Sequence, residues 1–306
     1  MFSNTNTDSS RHNSAASTAS SPVTTSATKA QTTFPDQKSI YQNRTPEESA
    51  RIAVFAAFVS SPVHFEQKYS VKRVIGFGSN GVVLAATQGS TTGVAIKIIY
   101  KSKPSFNAPN PPEIDILLQL SKSTSTSSNL LHYIEHWQDA QNHYLVTELH
   151  GSDWLASTSP SLTPLSFTIP TTKKSYTFPI ASGSSDLWAW SFAHRQHLHN
   201  TEGHSYLPLH PVKRIVKQIA LALQEMHGNG YYHGDVKIEN VLVGSDVSVR
   251  LADFGHSRHV SQGIKRMVQL KSLRQSFFRT LGLRVEKWMV VLQMCLRLGW
   301  FCLCFE

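Results

Sequence analysis

The stretch "YYHGDVKIENVLV", residues 231–243, combines acid and amide side chains at a spacing suited to phosphoryl transfer. Asp235 follows His233 by two positions and precedes Asn240 by five. A carboxylate in such a loop can orient an attacking hydroxyl group and accept its proton, and an amide oxygen can help to hold Mg²⁺. A second carboxylate follows at Asp253, in "LADFG". Taken singly, each of these residues is equally explained as a turn Asp or a capping Asn.

A glycine-rich segment, "GFGSNGVV", contains Gly76, Gly78 and Gly81 in a G-x-G-x-x-G pattern. A dinucleotide-binding turn has the same pattern but leads into a helix, whereas "VVLAA" here predicts a strand. A glycine-rich hairpin lets backbone N–H groups approach phosphates closely. The pattern alone is equally compatible with an ordinary hairpin.

Lys97 ends the run "VAIK", which predicts a buried strand. Because a lysine rarely occupies such a strand without a partner, Glu113 in the predicted helix "PPEIDILLQL" is a candidate for an ion pair. Without further context, a lysine that extends to solvent beside an unrelated glutamate is the simpler explanation.

Together, and in this order, the glycine-rich loop, "VAIK", the helical Glu, H-x-D-x-x-x-x-N and D-F-G resemble the protein kinase family. The resemblance covers residues 69 to about 258. It implies an α+β, two-lobed protein kinase-like fold with a complete N-lobe. It also implies ATP and Mg²⁺ as cofactors and a protein substrate. Lys237, two places after Asp235, is similar to the Ser/Thr type of the family.

The resemblance also implies a role for each matching residue. The loop from Gly76 to Gly81 covers the ATP phosphates, and Lys97 holds the α and β phosphates while it pairs with Glu113. In the catalytic loop, Asp235 is the catalytic base and Lys237 steadies the γ-phosphate. The two Mg²⁺ ligands are Asn240 in this loop and Asp253 in the D-F-G motif.

The expected nucleotide contacts form a second group. The residues that enclose adenine are Ile75, Val83, Ala95 and Leu242, with Thr147 as the gatekeeper and the backbone of Glu148 to His150 as the hinge. Either Asp153 or Asp186 contacts the ribose, and the sequence does not decide between them.

Gly234 departs from the family pattern, since most members have Arg at this position. That Arg usually binds a phosphorylated activation loop, so its replacement predicts activity that is independent of such phosphorylation. H-G-D is also similar to the corresponding motif of aminoglycoside and choline phosphotransferases. The D-F-G motif, Lys237 and the glycine-rich hairpin favour a protein kinase, and a small-molecule phosphotransferase is the less favoured alternative.

The chain after Gly255 fits the family poorly. No Pro follows Pro211, so the A-P-E motif is missing, although "EKWMVVLQMC" is faintly similar to the family's D-x-W-x-x-G-V helix, with Glu286 and Trp288 at the matching positions. These features predict an incomplete C-lobe and an aberrant basic and apolar tail over residues 259–306. A catalytically inactive nucleotide-binding or scaffold fragment is therefore the alternative from a different functional class.

The net charge of +9 is concentrated at one end of the chain, since residues 256–306 hold nine Lys and Arg but two Asp and Glu. The remaining 20 basic and 18 acidic residues nearly balance, so neither nucleic acid nor membrane is an expected partner. All three cysteines also lie in that end segment, which favours a reducing compartment, the cytoplasm, with the nucleus as the alternative. The oligomeric state is not predicted.

Composition and periodicity predict the organisation of the rest. The first 44 residues are expected to form a disordered Ser/Thr-rich tail, followed by a short helix over 45–60 with a Thr45–Glu48 capping box. Three antiparallel strands are expected within 69–101, a buried strand at 143–149, and an insertion at 156–185 that contains a small hairpin. A helix ending near Gly228 and two short strands around "VLV" and "VRLAD" complete the expected elements.

Overall fold

The computed structural model describes residues 39–89, 91–122, 129–155, 163–181 and 184–262. Most of the predicted tail over 259–306, including Glu286 and Trp288, lies outside the described residues, as do residues 1–38. No helix in the described ranges combines the length and apolarity needed to cross a membrane.

The capping box at Thr45 starts the first helix, α1, which runs over Pro46–Ser60. The Thr45 side chain accepts a hydrogen bond from the backbone N–H of Glu48, and the Glu48 carboxylate accepts one from the backbone N–H of Thr45. This reciprocal pair satisfies two donors that a helix N-terminus otherwise leaves unpaired. A short π-helical turn over Val63–Lys68 then connects α1 to the first strand.

Five antiparallel strands form the main sheet, in the order β1-β2-β3-β5-β4. Their bounds are β1 Tyr69–Phe77, β2 Gly81–Gln88, β3 Thr92–Tyr100, β4 Tyr133–Gln138 and β5 Asn142–Glu148. The three predicted strands and the predicted buried strand are therefore confirmed. Strand β4 was not predicted, because its residues are all half-buried and so lack a clear inside–outside alternation.

Helices and short strands make up the remainder, in agreement with the α+β class. In chain order they are α2 Pro112–Leu120, β6 Leu165–Thr168, β7 Ser175–Phe178, α3 Leu187–Glu202, α4 Leu209–Gly228, β8 Tyr231–Tyr232, β9 Val241–Val243, β10 Val249–Leu251 and β11 Arg258–His259. Strands β6 and β7 form the hairpin expected within the insertion, with Phe167 opposite Tyr176. Helix α3 was not predicted, because its apolar residues are concentrated in its first turns.

The buried apolar side chains among the described residues form two cores. In the first core, one face of the main sheet, including Val82, Leu84 and Ile96, packs against α1 and the β6–β7 hairpin. In the second core, α2 and α4 pack against β9, β10 and Phe254. The other face of the main sheet, which carries Lys97, is therefore left to face the site described below.

Residues 39–44, at the end of the segment predicted to be disordered, belong to the described part of the chain, and Ile40 and Tyr41 pack in the first core. Tyr41 is only 9% exposed. Its ring stacks on Tyr100 with the ring centroids 4.1 Å apart, and its hydroxyl donates to Asn142 Oδ1 at 2.6 Å. A single aromatic side chain in a polar segment supplies enough apolar contact to anchor it, which average composition does not show.

Phe58 of α1 provides a test of the first core, because its ring contacts Phe65 and three aromatic residues of the hairpin. Phe58→Ala removes a side chain that is 2% exposed, and we expect it to lower the free energy of unfolding by about 3–5 kcal/mol. Val59→Ala, at a neighbouring position that is 51% exposed, should change it by less than about 1 kcal/mol. Urea unfolding of both variants checks this, and equal losses would contradict the packing described.

His143 of β5 predicts a specific pH dependence of stability. Burial, together with the positive charge of Lys101, lowers the pKa of His143 to about 4. Since an unfolded histidine binds its proton near pH 6.5, the unfolded chain binds more protons than the folded chain between pH 6.5 and 4. Stability therefore falls as the pH decreases through this window.

In His143→Gln, the slope of unfolding free energy against pH should be smaller by up to about 1.4 kcal/mol per pH unit, the value for one proton. Urea unfolding at pH 6.5, 5.5 and 4.5 measures the slope in both proteins. Identical slopes would show that His143 takes up its proton equally well in the folded chain.

Candidate active site

Lys97 lies between two acidic side chains that come from different parts of the chain. Its Nζ is 2.8 and 2.7 Å from the two carboxylate oxygens of Glu113, which lies in the first turn of α2. The same Nζ is 3.3 Å from Asp253 Oδ1. Glu113 is only 7% exposed, so the expected pairing of Lys97 with Glu113 is present, and it extends to the D-F-G aspartate.

The electrostatics of this cluster keep Lys97 and Asp253 charged. Burial alone would lower the pKa of Lys97, but the carboxylates of Glu113 and Asp253 outweigh it and raise that pKa. Burial likewise opposes ionisation of Asp253, but the Lys97 ammonium group holds the pKa of this carboxyl below its usual value. The site therefore presents a fixed ammonium group and an ionised carboxylate at neutral pH.

Asp235 is the centre of a second cluster, within the loop that follows β8. Its Oδ2 accepts hydrogen bonds from Lys237 Nζ at 2.8 Å and from Asn240 Nδ2 at 3.2 Å. Asn240 Nδ2 also donates to the backbone carbonyl of Asp235 at 2.8 Å. Because these bonds use only the amide nitrogen of Asn240, its oxygen stays available as a ligand atom.

Two hydrogen bonds to the backbone of Ala252 join the two clusters. Ala252, which precedes Asp253, donates its N–H to Asn240 O at 2.9 Å and accepts a bond from His233 Nε2 at 3.0 Å. Burial lowers the pKa of His233, which keeps its ring neutral with the proton on Nε2. Asp253 itself has φ 61°, an uncommon backbone conformation for a non-glycine residue that often occurs at functional sites.

The glycine-rich segment forms the turn between β1 and β2, so it leads into a strand as expected. The N–H of Gly78 donates to Gly81 O at 2.9 Å and closes the turn. A Cβ on Gly81 would lie 2.4 Å from Ile98 O in β3, whereas one on Gly76 or Gly78 would meet nothing within 4 Å. Gly81 is therefore required by packing, and the other two glycines border open space.

The predicted adenine-binding residues come from the main sheet and from β9. Val83 lies opposite Lys97, and Ala95 lies opposite Thr147, in the pairing of the sheet. Val83, Ala95 and Lys97 are only partly buried, unlike their neighbours on the α1 side. Ile75 lies in β1, just before the glycine-rich turn, and Leu242 lies in β9.

The predicted hinge, Glu148 to His150, is held by contacts that the sequence analysis did not find. Glu148 Oε1 accepts hydrogen bonds from Arg250 Nε at 2.7 Å and from the N–H of His132 at 3.0 Å. His150 Nε2 lies 3.2 Å from Ser248 O. The sequence offered one signal for this contact, since Arg250 is a charged residue within the short apolar strand "VRL" and therefore needs a partner.

The two candidates for a ribose contact differ in their free oxygens. Asp186 caps α3, with Oδ1 accepting from the N–H of Ala189 at 2.8 Å and Oδ2 from Ser184 Oγ. Asp153 forms an ion pair with Arg73 through Oδ2 at 2.8 Å. Its other oxygen, Oδ1, makes no hydrogen bond but is enclosed by protein, so neither carboxylate has an oxygen that is both exposed and unpaired.

Gly234 has a backbone conformation that other residues adopt only with strain. Its φ is +83°, and a Cβ at this position would lie 2.4 Å from the carbonyl oxygen of His256. This close approach also brings His256 near the loop, with Nδ1 3.9 Å from Asp235 Oδ2. His256 was not predicted to be a neighbour of the site.

Gly234→Ala is therefore expected to lower the free energy of unfolding by about 1–3 kcal/mol. Gly228→Ala, at the end of α4 where a Cβ would meet nothing within 4 Å, should leave stability unchanged or raise it by up to about 1 kcal/mol. Chemical denaturation of the pair measures the difference. An equal response of both variants would contradict the close approach of His256.

Comparison with known proteins identifies the family to which the chain belongs. The chain is similar to the serine/threonine-protein kinase PSK2 of Saccharomyces cerevisiae, with 24% identity over 204 residues, which is 64% of this chain and 15% of that protein. It is 26% identical over 200 residues to the mouse homeodomain-interacting protein kinase 1, covering 64% of this chain and 13% of that protein.

A shorter match, to the mouse serine/threonine-protein kinase SBK1, has 46% identity over 63 residues, 20% of this chain and 15% of that protein. The chain thus spans at most about a sixth of the length of these relatives. The family model for the protein kinase domain matches residues 69–280. Since this match includes both charge clusters and covers more than half of the sequence, the chain belongs to the protein kinase family.

Proposed function

We propose that this chain is a protein serine/threonine kinase that transfers a phosphoryl group from ATP with the help of Mg²⁺. The observation that supports this most directly is the junction of the two charge clusters through Ala252. That junction brings a fixed ammonium group, an ionised carboxylate and a candidate catalytic base to one loop–strand assembly. Family membership supports protein phosphorylation in general, and the choice of ATP and of Ser or Thr is our inference.

The side chains of Asn240 and Asp253 fit a magnesium ion. Both offer oxygen atoms, which Mg²⁺ prefers, and this ion is typically held by one or two protein ligands together with phosphate oxygens. The described residues contain no group of three or more His, Cys, Asp or Glu that could hold a metal ion. When bound, the ion would neutralise charge on the phosphates.

Three side chains, Lys97, Asp235 and Lys237, have the remaining roles in phosphoryl transfer. The Lys97 ammonium group, held by Glu113 and Asp253, is placed to bind phosphate oxygens. Asp235 is placed to orient a substrate hydroxyl group and to accept its proton as the oxygen attacks the γ-phosphorus of ATP, whose bond to the bridging oxygen breaks to release ADP. The hydrogen bond that Lys237 Nζ donates to the Asp235 carboxylate raises the pKa of Lys237, so this lysine stays charged and is placed to stabilise the negative charge that develops on the transferred group.

Two further inferences concern substrate and regulation. Lys237, two places after the base, supports Ser and Thr rather than Tyr as the acceptor residue. Gly234 supports activity that does not depend on phosphorylation of the activation loop, because the loop lacks an Arg to bind that phosphate. A strong increase in rate after phosphorylation of the segment that follows Gly255 would contradict this second inference.

The central test is transfer of labelled phosphate from Mg-ATP to a basic protein, compared between the wild-type chain and Asp235→Asn. Loss of a general base lowers rates by about 10²–10⁴-fold, and we expect a decrease in this range. Asp246→Asn is the matched control, because Asp246 is an exposed turn residue bonded to Ser248, and its rate should equal that of wild type. Equal transfer by wild type and Asp235→Asn would exclude catalysis by this site.

The same preparation separates the alternative functions. Transfer to an aminoglycoside or to choline, but not to a protein, would favour a small-molecule phosphotransferase. Binding of Mg-ATP without transfer to either class of acceptor would favour an inactive nucleotide-binding or scaffold fragment.

A further inference from the structure

Strand β1 is an edge strand of the main sheet, and it carries Ile75 and the glycine-rich turn at its end. Its pairing with β2 is irregular, with shifts in register between Val71 and Arg73 and between Val74 and Gly76. Irregular edge strands expose backbone groups that need another partner. The position of the glycine-rich turn therefore depends on what holds the outer side of β1.

The segment that follows the β6–β7 hairpin supplies this partner. The N–H of Val74 donates to Pro179 O at 3.0 Å, and the N–H of Ala181 donates to Val74 O at 2.8 Å. Val74 and Ile180 form a parallel bridge, and their side chains are 0% and 9% exposed. Residues 179–181 thus add a short strand to the edge of the sheet, at the point where the β1–β2 register shifts.

The hairpin is in turn fixed to α1 and to the π-helical turn. The ring of Phe58 lies 4.6 Å from that of Tyr176 and 5.6 Å from that of Phe178, centroid to centroid. The Arg51 guanidinium donates to the backbone carbonyls of residues 163 and 164, at 2.9 and 3.1 Å. Lys174 near the tip forms an ion pair with Glu66 at 2.6 Å. These contacts make α1 and the hairpin one layer over the sheet.

A second attachment holds β1 from the other side of the insertion. Arg73, directly before Val74, pairs with Asp153, which follows the hinge. Two adjacent residues of β1 are therefore held by segments at the two ends of the insertion, Asp153 before it and residues 179–181 near its end.

We propose that the insertion and α1 together position β1, and that this attachment sets the affinity of the site for nucleotide phosphates. Ala181, Phe178 and Phe58 act as positioning residues through β1. The proposal rests on the proposed function for the identity of the nucleotide, whereas the effect on β1 itself is independent of it. Loosening the attachment should weaken nucleotide binding while the residues around Lys97 and Asp235 remain intact.

The sharpest test removes one backbone hydrogen bond. Ala181→Pro eliminates the N–H that binds Val74 O, and Ala181→Ser retains it. In the full chain, we expect Ala181→Pro to raise the Kd for Mg-ATP by about fivefold, the factor for one lost hydrogen bond. Amide hydrogen exchange over residues 71–77 should accelerate by a similar factor, while exchange in β3 and β5 stays unchanged. Ala181→Ser should match wild type in both measurements.

A second pair of variants removes the apolar attachment instead. Phe178→Ala, at a position 6% exposed in the first core, should produce the same pattern, and Thr177→Ala, on the exposed side of the same strand, should not. Unchanged exchange over 71–77 in Ala181→Pro and Phe178→Ala would overturn the proposal, as would faster exchange with an unaltered Kd. If the wild-type chain fails to bind Mg-ATP, the proposed function is wrong, and hydrogen exchange alone then decides whether the insertion positions β1.

Discussion

The structure depends on keeping one partly buried ammonium group charged. Lys97 lies on a strand whose other face is packed in an apolar core, and burial opposes its positive charge. Glu113 and Asp253 compensate this cost, since breaking such a pair would leave a charge without a partner. Because Glu113 comes from α2 and Asp253 from the segment after β10, the need to satisfy Lys97 links the main sheet, α2 and the D-F-G segment.

A second consequence concerns the glycine-rich turn. Gly76 and Gly78 leave space for a ligand but supply no side chains to fix the turn, so the position of the turn is set by the strands that flank it. In this chain, residues 179–181 cover the free edge of β1. The sheet face opposite to the one that carries Lys97 is covered by α1 and the hairpin. The insertion after the hinge therefore belongs structurally to the sheet, although it follows the hinge in the sequence.

Much of the fold and site was predictable because the informative signals are local. The capping box at Thr45, the alternation in β1 to β3 and the motif residues around Asp235 each depend on neighbours in the sequence. The ion pair between Lys97 and Glu113 was predicted only through the order of the motifs. The contacts of Arg73, Arg250 and His256 were missed because each joins residues far apart in the chain through geometry that no local pattern encodes. The anchoring of Tyr41 was missed for a related reason, since composition averages away a single buried aromatic ring.

A double-mutant cycle on Mg-ATP affinity tests most directly whether Lys97 and its carboxylate partner Glu113 act together in binding phosphate. Calorimetry on wild type, Lys97→Met, Glu113→Gln and the double variant gives the coupling between the two residues. We expect each single variant to bind more weakly, by about tenfold or more, and the double variant to bind no more weakly than Lys97→Met alone. Losses that simply add, or a Lys97→Met variant with wild-type affinity, would contradict the assignment of Lys97 and Glu113 to one phosphate-binding unit.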